Sequence, residues 1–423
     1  MSILDAAQTA ADTGSSVVVD RCQICGHAQL ERLLFLGYLP PVNQMRIIGE
    51  LPREQSAYPA LLLGCPVCSL VQLGLIVDKR ILFPPEYPYT SGTTKILRDN
   101  FADLYAESQT IIRMGPNDLA IDIGSNDGTL LSNFKKGGHR VLGIEPSQVA
   151  NIANEFGITT VTAFFDRVTA EQTRRLHGPA RIITATNVFA HIEHIHDIID
   201  SILLLIDEKG VFVTESHYLL ALVETLQYDT IYHEHLRYYA LESLRHLLGM
   251  HGLDVIHARR IPTHGGSIRV YAARAGEYPI HDSVSELLKS ERNAGLDTKH
   301  LKDFKNRVVR SKLELYRLLR EIKEQGHRIY GIGAPSRAST LIHYVGIDDG
   351  ILDCVLEIKG SLKIGKYMPG TLIPVLEESR LFEDQPEFAL LLSWHIANEL
   401  IPKLRQKGYR GKYICPLPTP NII

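Results

Sequence analysis

Asp122-Ile123-Gly124-Ser125-Asn126-Asp127-Gly128-Thr129-Leu130 has the punctuation of a strand that enters a glycine turn and leaves it as a helix. The apolar run Leu119–Ile123 stops at Gly124, and Leu130, Leu131 and Phe134 then recur at helical spacing. A second apolar run, Arg140–Ile144, closes on Glu145. A strand, a tight loop, a helix and a strand ending in a carboxylate hold an adenosine group at the carboxyl ends of parallel strands. Gly124 and Gly128 let the backbone approach a ligand, and the helix start offers free N–H groups. Glu145 is placed to accept hydrogen bonds from ribose hydroxyls.

The dinucleotide fingerprint needs a third small residue where Thr129 stands, so a nicotinamide cofactor is disfavoured, though left open. An acidic start at Asp122, a Gly-x-Asn-x-Gly loop and an acidic end to the next strand resemble a class I S-adenosylmethionine methyltransferase. The cofactor contacts expected on that resemblance are Asp122, Gly124, Asn126, Gly128, Glu145 and Asn187. The plainer alternative is an ordinary strand-to-helix turn whose glycines serve geometry alone.

Around this unit strands and helices alternate. Arg181–Thr186 and Val211–Glu215 continue the sheet, and Leu253–Ile256 and Ser267–Ala272 suit antiparallel strands that close it. A charged stretch, Ser283–Lys323, has leucines at helical spacing. A second strand–loop–helix unit follows: Arg328–Ile332, the loop Gly331–Arg337, and a helix from Ala338 to Tyr344. Further strands are expected at Ile351–Leu356, Phe388–Trp394 and Tyr413–Cys415. Two α/β lobes facing one another make a cleft, and such clefts bind ligands. Gly333 and Arg337 suit a diphosphate at the second loop, against the alternative of a simple turn with a solvent-facing arginine.

Ahead of both units stand Cys22-x-x-Cys25 and Cys65-x-x-Cys68, four of the chain's six cysteines. Two such knuckles read as a tetrahedral, structural zinc site, with disulfides or a redox pair as the competing readings. Cys354 and Cys415 stand alone in apolar runs and are expected in the core. The chain divides into a loose tail over 1–20, a zinc-binding lobe over 21–85, a methyltransferase domain over 86–280 and a C-terminal α/β domain over 281–423. At 423 residues, 45% hydrophobic and 22% charged, with net charge -3, it is globular with sizeable cores. No basic field argues for nucleic acid, and no apolar run approaches a membrane span. The first twenty residues carry no secretory pattern, so a cytoplasmic enzyme is expected.

Tyr228 to Tyr239 is dense in polar aromatics and titratable groups and follows the last main strand of the middle lobe. His191, after Asn187-Val188-Phe189-Ala190, also falls at the carboxyl ends of the strands. His233-x-His235 on an extended backbone would put both rings on one face, as a metal needs. Packing is the second reading. Acid–base chemistry beside a methyl donor is the third.

The two knuckles, Tyr87-x-Tyr89-x-Ser91-Gly92, Asp122–Leu131, Asn187–His191, Ile231–His235, His264-Gly265-Gly266-Ser267 and Gly333-Ala334-Pro335 occur in this order. Together they resemble the nucleotide-sugar C-methyltransferases of deoxysugar pathways, of the 3-C-methyltransferase type. The resemblance implies an α/β protein with a zinc-binding N-terminal lobe, a central Rossmann-like S-adenosylmethionine domain and a second Rossmann-like domain. It implies a monomer, and a nucleoside-diphosphate-linked 4-keto-6-deoxy sugar held between the last two domains. On the same resemblance His235 is the base, with Tyr232 and Glu234 as close partners. His191 and Tyr87 polarise or hold the keto sugar. Tyr89, His264, Ser267, Gly333 and Arg337 contact sugar and phosphate. The chain departs from the family pattern at Arg337-Ala338 and over Glu357–Pro369. Two alternatives are a zinc-containing methyltransferase of RNA or protein, and a nicotinamide-dependent nucleotide-sugar oxidoreductase.

Overall fold

The computed structural model describes residues 16–51, 54–82, 92, 94–296 and 301–423. The N-terminal lobe is built from β1 (Val17–Val18), β2 (Glu31–Leu39), β3 (Tyr58–Gly64), β4 (Val71–Leu73) and β5 (Leu75–Ile76). β2, β3 and β4 pair antiparallel in sequence order, and β1 pairs antiparallel with β5 through Val17 and Ile76. Val17 and Val18, expected in a loose tail over residues 1–20, are therefore in a strand. The β-branched pair Val17–Val18 finds an edge to join, while residues 1–15 lie outside the described residues.

The central sheet uses β6 (Leu119–Ile123), β7 (Arg140–Ile144), β8 (Thr160–Val161), β9 (Ala180–Thr186) and β10 (Ile206–His217), then β12 (Leu253–Ile261) and β13 (Ser267–Arg274). Its order is β12-β13-β10-β9-β6-β7-β8. β6 to β10 run parallel, and β13 and β12 close the sheet antiparallel, as the later apolar runs predict. The chain moves one way from β6 to β7 and the other way to β9, so a crevice opens beyond the carboxyl ends of β6 and β9. The helix Thr129–Lys136 buries Leu130, Leu131 and Phe134, the three residues whose spacing marks it in the sequence.

The C-terminal sheet has the order β16-β15-β14-β17-β18-β19. It comprises β14 (Ile329–Ile332), β15 (Cys354–Glu357), β16 (Val375–Glu377), β17 (Phe388–Leu391), β18 (Lys412–Cys415) and β19 (Asn421–Ile422). All pairs are parallel except β18 with β19. This sheet has its own reversal of direction at β14 and β17, which makes it the second Rossmann-like unit. The strand expected over Phe388–Trp394 ends at Leu391, and Trp394–Ile396 forms a 3₁₀ turn instead.

The lobes interlock. The short strand β11 (Arg237–Tyr238) lies in the middle segment of the chain, yet it pairs antiparallel with β4 of the N-terminal lobe. The N–H of Leu73 donates to the Leu236 carbonyl at 3.0 Å beside it. β2 packs against the helices Leu301–Glu324 and Ser336–Val345 of the C-terminal lobe. Among the described residues, no helix is long and apolar enough to cross a membrane.

Candidate active site

Gly124 sits at φ +70°, and a Cβ there would run into Cγ2 of Val188, so only glycine fits this bend. Asp127 closes the turn: its Oδ1 accepts from the N–H and hydroxyl of Thr129 at 3.1 and 2.6 Å. Its Oδ2 accepts from the Gly92 N–H at 2.7 Å. Glu145, at the end of β7, accepts from the N–H groups of Asn126 and Ser147, both at 3.0 Å. A carboxylate has roughly four lone-pair sites, so acceptor capacity remains for ribose hydroxyls. Asp122 is buried and accepts from the Thr184 hydroxyl at 2.6 Å, tying β6 to β9. Burial, with the charges of Glu145 and Glu215 adding to it, pushes its carboxyl up to about 8. Asn187, at φ +58°, turns the chain after β9 and donates its N–H to the Glu215 carbonyl at 2.8 Å.

Asp122, Gly124, Asn126, Glu145 and Asn187 line a cavity of about 1710 Å³. Gly128 does not line it; it starts the helix in the left-handed conformation. The opposite wall is Pro335, Ser336, Arg337 and His395, residues that follow β14 and β17. The cavity therefore spans the reversal points of both sheets. These groups fit S-adenosylmethionine: a helix start, a glycine bend for close backbone approach, and a carboxylate with spare acceptors.

A group of aromatic rings lines the cavity. The rings of Tyr232 and His235 pack against one another at a tilt of 38°, with centroids 4.2 Å apart. His217 and His191 flank His235 at 4.8 and 5.0 Å, and His264 lies 5.4 Å from His217. Nδ1 of His235 is 2.8 Å from the carbonyl of Thr230. A carbonyl only accepts, so Nδ1 carries the hydrogen and Nε2 carries the lone pair. Burial, reinforced by His191, holds the His235 pKa well below the ordinary histidine range, so the ring is neutral at pH 7. Burial lowers His217 in the same way, and takes His191 and His264 down to about 4.

Other expected residues are placed differently. The His233-x-His235 segment is a turn and not an extended run, with the His235 N–H donating to the Tyr232 carbonyl at 2.9 Å. The two rings diverge, His233 meeting the carbonyl of Pro59 and His235 that of Thr230. Glu234 is engaged by the N-terminal lobe rather than by His235. Its Oε1 accepts from the Asn43 side-chain amide at 2.6 Å, and burial pushes its carboxyl up to about 8 against the pull of Lys363.

Arg337 is buried rather than solvent-facing. Its Nε and Nη2 grip Asp229 at 2.8 and 2.7 Å, Nη2 also reaches Gln227 at 3.1 Å, and Nη1 reaches the His264 carbonyl at 3.4 Å. The guanidinium lies 4.9 Å from the centre of the Trp394 ring, whose Nε1–H donates to the same Asp229 at 2.8 Å. The charge expected at a diphosphate is thus spent on Asp229. Ser267 lies outside the cavity lining, and its hydroxyl donates to the Thr263 carbonyl at 3.0 Å. Gly333 keeps φ +80° and shapes the loop without lining the cavity. Tyr87 and Tyr89 lie outside the described residues.

Four cavity residues escape sequence reasoning. Asn43 comes from the N-terminal lobe and Lys363 from the C-terminal lobe, and nothing local to either marks a site. His217 had a signal, because it falls at the carboxyl end of β10. His395 follows the apolar run of β17 in the same way.

The four knuckle cysteines bring their sulfurs within 4.8 Å of one another. Cys22 and Cys68 are 3.4 Å apart, and Cys25 and Cys65 are 3.5 Å apart. Tetrahedral zinc with thiolate bonds of about 2.3 Å needs sulfurs about 3.8 Å apart, so the set fits the ion. The N–H groups of Ile24 and Cys25 point at the Cys22 sulfur at 3.4 and 3.5 Å. The sulfur of Cys68 and these amides hold the Cys22 thiol down to about 5. Four cysteines leave no position for water, which makes the site structural.

Three family models match in succession: a zinc binding domain over residues 22–83, a methyltransferase domain over 108–258 and a C-methyltransferase C-terminal domain over 262–418. The C-methyltransferase NovU of Streptomyces niveus is 30% identical over 409 residues, which cover 96% of this chain and 97% of that protein. The chain belongs to this C-methyltransferase family. The C-methyltransferase is an enzyme that takes its methyl group from S-adenosylmethionine, on an α/β scaffold with a Cys₄ zinc site. Among solved structures it is similar to the magnesium protoporphyrin IX methyltransferase of Synechocystis PCC 6803. That match is 16% identical, covers 42% of this chain and 78% of the other, and has a TM-score of 0.32. The protein PH0226 of Pyrococcus horikoshii OT3 is 11% identical, with 45% and 96% covered and a TM-score of 0.35.

Proposed function

We propose that this C-methyltransferase methylates carbon, at C-3, in a nucleoside-diphosphate-linked 4-keto-6-deoxy sugar. The observation that carries the reading is the tautomer of His235. The Thr230 carbonyl holds the hydrogen on Nδ1, and burial keeps the ring neutral. Nε2 is then a base positioned on the cavity wall between the two nucleotide-holding lobes. A carbon base is what a keto sugar needs, because the ketone acidifies the hydrogen on the adjacent carbon.

S-adenosylmethionine supplies an electrophilic methyl group when bound, and Asp122, Gly124, Asn126, Glu145 and Asn187 would hold it. Nε2 of His235 takes the proton from the carbon next to the ketone. Tyr232, packed against His235, holds that ring in place. His191 faces the same space and supports the developing enolate oxygen, as hydrogen-bond donors do for oxyanions. Glu234, buried and largely protonated when the cavity is empty, faces the sugar from the side of Asn43. Tyr87, outside the described residues, keeps its expected role of holding the keto sugar. Of the expected substrate contacts, His264 and the loop around Gly333 stay at the cavity. One Nη1 hydrogen of Arg337 remains for a ligand.

The test is incubation of the zinc-loaded enzyme with S-adenosylmethionine and a thymidine or guanosine diphosphate 4-keto-6-deoxy sugar. The product gains one methyl group by mass spectrometry, and nuclear magnetic resonance places it on C-3. His235→Ala should lower turnover by about 10³-fold or more, with S-adenosylhomocysteine affinity unchanged by calorimetry. Turnover that survives in this variant means that a different residue is the base.

A further inference from the structure

We propose that Lys363, on the C-terminal lobe, is the cation that holds the substrate's diphosphate. The inference rests on the nucleoside-diphosphate reading above and assigns its charge to a residue. Two bridging phosphates bring negative charge into a cavity whose cations are few. Among the described residues Lys79, Arg80, Arg167, Arg337 and Lys363 line it. Arg80 is paired with Asp78, Arg167 with Glu171 and Arg337 with Asp229. Lys79 lies over the Phe164 ring at 5.0 Å. Lys363 alone of the five faces the substrate side without a paired carboxylate or ring among the described residues.

Its position suits the task. Nζ donates to the Ala334 carbonyl at 2.6 Å, which sets the ammonium beside Pro335 and the start of the helix Ser336–Val345. Two ammonium hydrogens remain for a ligand. Ser336 lines the cavity next to it, at the end of the helix where the N–H groups favour an anion. Glu357 is occupied elsewhere, accepting from the Ala334 N–H at 2.6 Å, and Glu234 accepts from Asn43. Glu357 favours the charged lysine from nearby without forming an ion pair with it, while burial disfavours that charge. An incoming phosphate would offset the burial. Arg337, by contrast, cannot turn to a ligand without stranding Asp229 and Trp394.

The experiment is calorimetry on the full zinc-loaded chain with thymidine, uridine and guanosine 5′-diphosphates and the matching monophosphates. The wild type should prefer the diphosphate. Lys363→Met should weaken the diphosphate by about 30-fold, the scale of one charge-assisted hydrogen bond, and the monophosphate by no more than about 3-fold. Lys363→Arg should restore most of the difference. S-adenosylhomocysteine affinity reports that each variant is folded and should not move. Equal diphosphate affinity in Lys363→Met, or an equal loss for mono- and diphosphate, overturns the assignment and leaves the substrate class standing. A wild type that binds none of the six nucleotides overturns the substrate class as well.

Discussion

At the scale of single residues, the site depends on which atoms are already committed. His235 keeps its lone pair on Nε2 because a backbone carbonyl has taken its other nitrogen. Arg337 holds the lobes together because Asp229, Gln227 and Trp394 converge on it across long stretches of sequence. Removing one partner of a buried ion pair strands the other, at a cost of about 3–5 kcal/mol. Arg337→Met should therefore lower the unfolding free energy, measured by urea titration, by that scale. Asp229→Asn combined with Arg337→Met should recover part of the loss, as a cycle through both variants will show. The residue types were legible in the sequence: a Gly-x-Asn-x-Gly loop, a cluster of histidines, an arginine after a glycine turn. Their partners were not. Hydrogen-bond commitments are made between segments far apart in the chain, and local pattern carries no record of them.

At the scale of elements, the short strand β11 ties the middle segment to the N-terminal lobe. It leaves the turn that carries His235 and adds to the sheet of the zinc-bearing lobe through Arg237↔Gln72 and Tyr238↔Val71. The knuckles at Cys65 and Cys68 precede β4, so the metal, β4, β11 and His235 form one mechanical chain. Zinc removal by a chelator should lower turnover by more than it lowers S-adenosylhomocysteine affinity, because the glycine loop belongs to a different sheet. Activity and calorimetry on the same sample check this, and hydrogen exchange should show β4 and β11 losing protection together. Strand and helix periodicity placed most elements of both α/β sheets from sequence. β11 escaped because two residues leave no period to read.

At the scale of the whole molecule, buried ionisable groups set the pH dependence of stability. His191 and His264 take up protons in the folded state only near 4, and His217 and His235 well below 6.5. In the unfolded chain histidine protonates near about 6.5. Below that pH the unfolded state binds more protons, so stability falls as pH drops from about 6.5 towards 4. Asp122 and Glu234 behave oppositely. Their folded values near 8 lie above the unfolded value of about 4, so they remove stability as pH rises towards 8. The ligand-free protein should be most stable near about pH 6.5. Urea unfolding between pH 4.5 and 8.5 (roughly the window between these values) measures the dome, and Glu234→Gln should flatten its alkaline side.

The sequence by itself determined the two glycine-looped α/β units and the four metal-ligating cysteines. Each of these is a local matter of periodicity, turn chemistry or ligand spacing. Only the tertiary structure decided that the N-terminal lobe reaches into the cavity through Asn43, that Arg337 is spent on Asp229, and that Lys363 lines the cavity with its Nζ on the Ala334 carbonyl. Those outcomes follow from which carboxylate each polar group meets when three lobes close on one another, and that competition is settled by packing rather than by neighbours in the chain.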